Sequence, residues 1–371
     1  MYKVWTGVWS LLLAGLLLVL GGCGGKASGP VEGTKATTPG NSQPHLAPAA
    51  GSSLIHATAT LPAVCDGYTA PNYYAPPPPQ CTSKSSSDGL VLTCVAGTLR
   101  SRSENPAFTV PFTLFISVPA HKQKNDVVVY YLHGLGSSGD FYHDHAIRTF
   151  ASQLEGDNAP AALVGIDLGP FFFFTLPDAQ ARNSGLACLL PNLLDQVDQA
   201  LNLILKEPYE RAFLGISMGG GNEVMIAEMF PQYFARVLLA CPAIPGVSPL
   251  SSTADLEAAA KKEGLASADQ VLVDQMLARM YMGPSTMDGL MPEALADKWP
   301  ARLPLLLLYN ESDEHLFGLG ARRFLARLNQ DGFQEVIGKS FPGGHCAFRP
   351  DDLDGLSSFL TTGAYVQKTS P

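Results

Sequence analysis

The chain reads as an α/β domain built on a mostly parallel central sheet with helices on both faces, and three observations lead there. Apolar runs at Val127–Leu132, Leu163–Leu168 and Pro304–Tyr309 have the length and composition of strands buried on both sides. Between them, Leu190, Leu193, Leu194, Val197, Leu201 and Ile204 recur at helical spacing, which gives a helix with one apolar face for the sheet. A third signal is Gly215-Ile216-Ser217-Met218-Gly219, which follows the apolar run Ala212-Phe213-Leu214 and precedes a helical pattern ending near Phe230-Pro231. Strands that alternate with helices imply parallel pairing, and such sheets bind ligands beyond the C-terminal ends of their strands.

The remaining elements follow in chain order. Gly89–Cys94 and Phe108–Val118 read as two early antiparallel strands that feed the central strand at Val127. Val237–Ala240 and the short Glu335-Val336-Ile337 add further strands. Pro245–Pro300 interrupts the alternation with helical pieces at Ala254–Lys262 and Ala268–Met282, which predicts a helical, lid-like insertion over residues 245–300 that overhangs the site and shapes its acyl or alcohol pocket.

The turn at Ser217 is where chemistry is expected. Flanking glycines permit a sharp strand-to-helix turn that lifts a serine hydroxyl out of the sheet, so Ser217 is the candidate nucleophile. A serine hydroxyl is unreactive at neutral pH without a histidine base and a carboxylate to orient it. The run ending at Tyr309 is followed at once by Asn310-Glu311-Ser312-Asp313-Glu314-His315; Asp313 is the candidate acid, with Glu311 and Glu314 as competitors. Downstream, Phe341-Pro342-Gly343-Gly344-His345-Cys346 offers His345 as the base, on a loop that two glycines make pliable.

Two backbone donors are needed for an oxyanion. One is the N–H of Met218, directly after the nucleophile; the other is the N–H of Leu135, in the glycine-rich turn His133-Gly134-Leu135-Gly136 after the central strand. His133 either anchors that loop or touches substrate. Phe171 and Phe172, within Gly169-Pro170-Phe171-Phe172-Phe173-Phe174, lie past a strand end and either line a substrate pocket with His133 or pack as core.

Taken together these motifs resemble the esterase D branch of the α/β-hydrolase superfamily, which includes S-formylglutathione hydrolases, feruloyl and acetylxylan esterases and mycolyltransferases. The resemblance rests on the His133–Gly136 turn, the Gly215-Ile216-Ser217-Met218-Gly219-Gly220 elbow, Phe230-Pro231, the strand at Val237–Ala240, the Asn310-x-x-Asp313-x-x-Leu316 stretch and Gly344-His345 with Phe348, and it covers residues 88 to 362. Asn310 stands where the family usually has glycine, and Cys346 where it often has a bulky residue. The resemblance implies an α/β-hydrolase fold and a serine esterase working by a Ser-His-Asp acyl-enzyme mechanism, without cofactor. An acyltransferase, a serine peptidase or amidase, and a non-catalytic surface-binding lipoprotein are the competing readings. Tyr142-His143-Asp144-His145 lacks further ligands at metal-binding spacing, so no metal is expected.

Of 371 residues, 46% are hydrophobic and 15% charged, enough to bury a full core in one catalytic domain, expected over residues 88–365. The net charge of −9 and the lack of any basic tract argue against a nucleic-acid partner. Residues 1–22 pair an early Lys3 with the apolar stretch Leu11–Leu20, and Leu20-Gly21-Gly22-Cys23 resembles a lipobox. Cys23 is therefore expected to be acylated, anchoring the protein to a membrane of the cell envelope, the outer membrane in a Gram-negative host. The alternative is a cleaved secretory peptide without lipid. The substrate is then a small-molecule or polysaccharide-linked ester outside the cytoplasm. Residues 23–63, rich in Gly, Ser, Thr, Ala and Pro, read as a flexible tether, and residues 64–87 as a Pro/Cys-rich extension. Six cysteines besides Cys23 allow up to three disulfides. Proximity favours a pair within Cys65, Cys81 and Cys94, with the third joining Cys188, Cys241 or Cys346; a bridge at Cys346 would fix the loop that carries His345.

Overall fold

The computed structural model describes Cys65 and residues 82–85, 90–100, 109–119, 126–154, 160–178, 185–205 and 209–366. The expected signal segment, Cys23, the tether and most of the Pro/Cys-rich extension lie outside the described residues.

Strands β1 (Lys84–Ser85), β2 (Val91–Arg100), β3 (Thr109–Val118), β4 (Val127–Leu132), β5 (Ala162–Asp167), β6 (Glu210–Ile216), β7 (Arg236–Ala240), β8 (Leu305–Asn310) and β9 (Val336–Phe341) join in one sheet of order β1-β2-β3-β5-β4-β6-β7-β8-β9. Pairing is antiparallel from β1 through β3 to β5 and parallel from β5 to β9. The early strands pair as the sequence predicts. β2 runs on to Arg100, beyond the expected end at Cys94, because Val95 and Leu99 also bury in the main core.

The helices are α1 (Arg148–Gln153), α2 (Leu190–Leu205), α3 (Met218–Met229), α4 (Thr253–Lys262), α5 (Asp269–Tyr281), α6 (Pro284–Gly289), α7 (Pro292–Ala296), α8 (Phe317–Gln330) and α9 (Leu356–Thr362). The period of two along a strand decides which face each covers. Val128, Tyr130 and Leu132 of β4 enter one core with α2, α3 and α8, whereas Val127, Val129 and Tyr131 enter a second core with α1 and α9. Burial on both faces is why β4 and β5 read as unbroken apolar runs.

Helices α4 to α7 fill the connection between β7 and β8, where the insertion is expected. Ser252 starts α4 by accepting the Asp255 N–H at 3.2 Å while Asp255 reaches back to the Ser252 N–H at 3.3 Å, a capping box. Pro284 and Pro292 open α6 and α7, where a missing N–H costs nothing. Two bridges tie distant parts of the chain: Cys65 to Cys188, just before α2, and Cys241, just after β7, to Cys346.

Candidate active site

Three of the parallel strands deliver side chains to one point beyond their C-terminal ends. β6 is followed by Ser217, β8 by the loop with Asp313, and β9 by the loop with His345. The Ser217 Oγ lies 2.7 Å from Nε2 of His345, and Nδ1 of His345 lies 2.8 Å from Oδ2 of Asp313. Ser217, the residue that caps α3, sits at φ 54° and ψ −118°, a left-handed conformation that ordinary side chains avoid. Its neighbour Gly219 is required by space: a Cβ there would collide with the carbonyl oxygen of Leu132 at the end of β4. The tight turn thus presses α3 onto β4.

Among the three candidate acids the geometry selects Asp313. Glu314 instead accepts the backbone N–H of His345 at 2.8 Å, and Glu311 accepts the Ser340 hydroxyl at 2.9 Å. Burial works against a charge on Asp313, yet the field of His345, its hydrogen bond, and His315 hold the carboxyl below its usual range. The carboxylate is therefore ionised where a histidine needs orienting.

The loop carrying His345 is fastened from several sides. Cys346, at φ 54°, is bridged to Cys241. Ser312 N–H donates to Gly343 O at 3.2 Å, and Nδ2 of the fully buried Asn310 donates to Ala347 O at 3.3 Å. Asn310 thus ties the end of β8 to this loop through its side chain.

The turn after β4 lies against Ser217. A Cβ on Gly134 would sit 3.3 Å from the Cβ of Ser217. Gly136 N–H donates to Pro170 O at 2.9 Å and Ser137 N–H to Gly134 O at 3.1 Å. Among the described residues the N–H of Leu135, between them, has no such partner, nor does that of Met218, the first residue of α3.

For His133 and Phe172 the structure shows the anchoring and packing arrangements that the sequence left as alternatives to pocket lining. His133 is fully buried; its Nδ1 lies 2.8 Å from Gly134 O, and its Nε2 is 3.5 Å from Oδ1 of Asp167. Asp167 in turn accepts the N–H groups of Gly139 at 3.0 Å and Gly169 at 2.8 Å, so this pair anchors the loops around the turn. Phe172 is also fully buried, locked because Asn222 of α3 donates to its carbonyl at 3.0 Å and accepts the Phe174 N–H at 2.9 Å. Phe171 is partly buried, with its ring 4.8 Å from that of Tyr281 on α5.

A further cluster was not legible in the sequence. His315 donates its backbone N–H to Oδ1 of Asp313 at 2.9 Å, its Nδ1 lies 2.7 Å from Oδ2 of Asp274 on α5, and its ring centroid is 4.5 Å from that of His345. No local signal marks Asp274, because the insertion reaches this loop only through the fold.

The strand order, the strained turn after β6 and the side chains at the ends of β8 and β9 define an α/β-hydrolase fold. No family model and no curated protein matches the chain. Solved structures similar to it include a ferulic acid esterase, at 14% identity and a TM-score of 0.46 over 73% of this chain and 98% of that one. Brefeldin A esterase, a bacterial homologue of human hormone sensitive lipase, aligns at 14% identity and 0.47 over 76% of this chain and 80% of its own. MPT51 of Mycobacterium tuberculosis aligns at 12% and 0.49 over 77% of this chain and all of its own length. The fold assignment rests on the strand order and not on these distant likenesses.

Proposed function

We propose that the protein is a serine ester hydrolase that works through an acyl-enzyme. The observation that carries this reading is the hydrogen-bonded line from Ser217 through His345 to a buried Asp313, at 2.7 and 2.8 Å. His345 takes the proton from Ser217 as the hydroxyl attacks the ester carbonyl, and Asp313 keeps the imidazole in the tautomer that presents Nε2 as the base. The N–H groups of Leu135 and Met218 receive the oxyanion. His345 then protonates the departing alcohol and activates the water that releases the acyl group.

The same reading has the enzyme exported, anchored through an acylated Cys23, and acting on a small-molecule or polysaccharide-linked ester outside the cytoplasm. The signal-like leader supports it, as do the Cys65–Cys188 and Cys241–Cys346 bridges, which endure in oxidising compartments.

The test is labelling with a fluorophosphonate probe followed by peptide mapping, with Ser217→Ala as control. An adduct on Ser217 and turnover of nitrophenyl esters, both lost in the variant, support the proposal; acyl transfer to an added alcohol in preference to water would make the enzyme a transferase. A folded, oxidised protein that takes no adduct would overturn it.

A further inference from the structure

The Sγ atoms of Cys241 and Cys346 and a ring nitrogen of His345 all lie within 4.8 Å of one another. They form a bridge and a hydrogen-bonded imidazole, yet they are also the atoms from which a Cys2His metal site is made. We propose that opening the Cys241–Cys346 bridge converts these three residues into a site for a zinc-class divalent ion, and that the ion switches the enzyme off by taking His345. The inhibitory half rests on the esterase reading above; the binding half does not.

The geometry suits such an ion. Metal–sulfur bonds of about 2.3 Å and metal–nitrogen bonds of about 2.0 Å, arranged tetrahedrally, put ligand atoms roughly 3.5–3.8 Å apart. The Cα atoms of the two cysteines are 5.3 Å apart, so the freed sulfurs reach that spacing by side-chain rotation. Strand β8 holds Cys241 in place, since its N–H donates to Leu308 O at 2.7 Å. His345 has no nitrogen to spare: Nε2 faces Ser217 and Nδ1 faces Asp313. Coordination through either one breaks the line on which the proposed chemistry depends.

The bridge is what keeps the site closed, because neither sulfur of a disulfide carries the thiolate charge that ligation needs. A dithiol reductant opens it in two exchanges. One of its thiolates attacks a bridge sulfur to form a mixed disulfide, and its second thiol closes on that bond. The reductant leaves as a disulfide, and the two electrons it gave up remain on Cys241 and Cys346 as thiols. Cys241 is fully buried and Cys346 only partly, so attack falls on the Cys346 sulfur. The ion then displaces one proton from each thiol to solvent and accepts the imidazole lone pair, with water in the fourth position.

The experiment compares the full chain with its bridges intact, the same protein after dithiothreitol treatment and anaerobic removal of the reductant, and a Cys241→Ser/Cys346→Ser double variant treated alike. The double variant retains every other cysteine. Each is titrated with Zn2+ and assayed for bound metal by mass spectrometry, with Co2+ as a spectroscopic substitute and nitrophenyl acetate turnover as the activity readout. The proposal expects an extra equivalent of metal in the reduced wild type over the reduced double variant, a thiolate-to-cobalt charge-transfer band unique to the wild type, and at least tenfold zinc inhibition that a chelator reverses. His345→Asn, which leaves both thiols, should weaken binding at least tenfold. Equal metal in the reduced wild type and double variant, or a cobalt spectrum without the thiolate band, overturns the site. Metal bound with the band present but turnover unchanged overturns the inhibition alone, and an enzyme without turnover in any state would point instead to failure of the esterase reading.

Discussion

Asp274 and His315 are joined through Oδ2 and Nδ1 at 2.7 Å, and this contact ties α5 of the insertion to the loop that carries Asp313. The ring of His315 stacks on Phe317 at 5.1 Å and meets that of His345 at a tilt of 57°, so His315 links the insertion to the line of Ser217, His345 and Asp313. Burial disfavours charge on His315, but the hydrogen bond and charge of Asp274, with Asp313 and Glu314, raise its pKa above the usual histidine value. A raised folded-state pKa gives stabilisation that is full below the unfolded value of about 6.5 and is lost as pH rises through the folded value. Amide exchange in α5, corrected for intrinsic rate, should therefore speed up as pH rises past neutrality in the wild type and show little such trend in Asp274→Asn. A trend of opposite sign in the wild type would reject this link.

Asp313 and Glu311 of the acid loop should separate cleanly by substitution. Asp313→Asn is expected to lower kcat by roughly a thousandfold or more while the protein stays folded, because the imidazole loses its working tautomer. Glu311→Gln, whose partner is the Ser340 hydroxyl at the surface, should change kcat by less than about twofold. Combining Asp313→Asn with Ser217→Ala should cost little more than Ser217→Ala alone, since the members act as a unit. Steady-state kinetics on one nitrophenyl ester decide all three.

Glu223 of α3 is fully buried, with no hydrogen-bond partner for either carboxyl oxygen among the described residues, and it lies against Gly215 beneath the turn at Ser217. Burial alone pushes its pKa well above the carboxylate range. The acid is kept neutral in the fold, so its contribution is fully present below the unfolded pKa and declines as pH rises towards the folded one. Glu223→Gln removes that titration. The melting temperature of the variant relative to wild type should climb between about pH 5 and pH 9; a difference that stays constant with pH would refute the assignment.

Lipidation at Cys23 is open to direct measurement. In cells fed an alkyne fatty acid, the wild type should acquire the label and partition with membranes, and Cys23→Ser should do neither. An unlabelled wild type released to the medium would favour a cleaved secretory peptide.

Much of the fold was legible because its signals are local. Strands buried on both faces must be apolar throughout, so β4 is readable to the residue and β8 to within one. The turn at Ser217 is marked by glycines that the backbone itself requires, and Asp313 and His345 follow strands whose ends are easily read. His133 and Phe172 stayed open for a related reason: residues just past a strand end face either the ligand or the core, and composition does not say which. In the structure, hydrogen bonds from Asn222 and the neighbourhood of Asp167 turn both inward.

The sequence by itself determined the α/β class, the strand–turn–helix at Ser217 and the shortlist of acids and bases, since periodicity and turn chemistry are written in windows of a few residues. Only the tertiary structure decided that Asp313 and not its acidic neighbours meets His345, that Cys241 bridges to Cys346 across a separation of 105 residues, and that Asp274 reaches His315. Those contacts depend on which strands lie side by side and how the insertion folds back over them. A pairing between distant residues is set by packing of the whole sheet, and no local pattern encodes it.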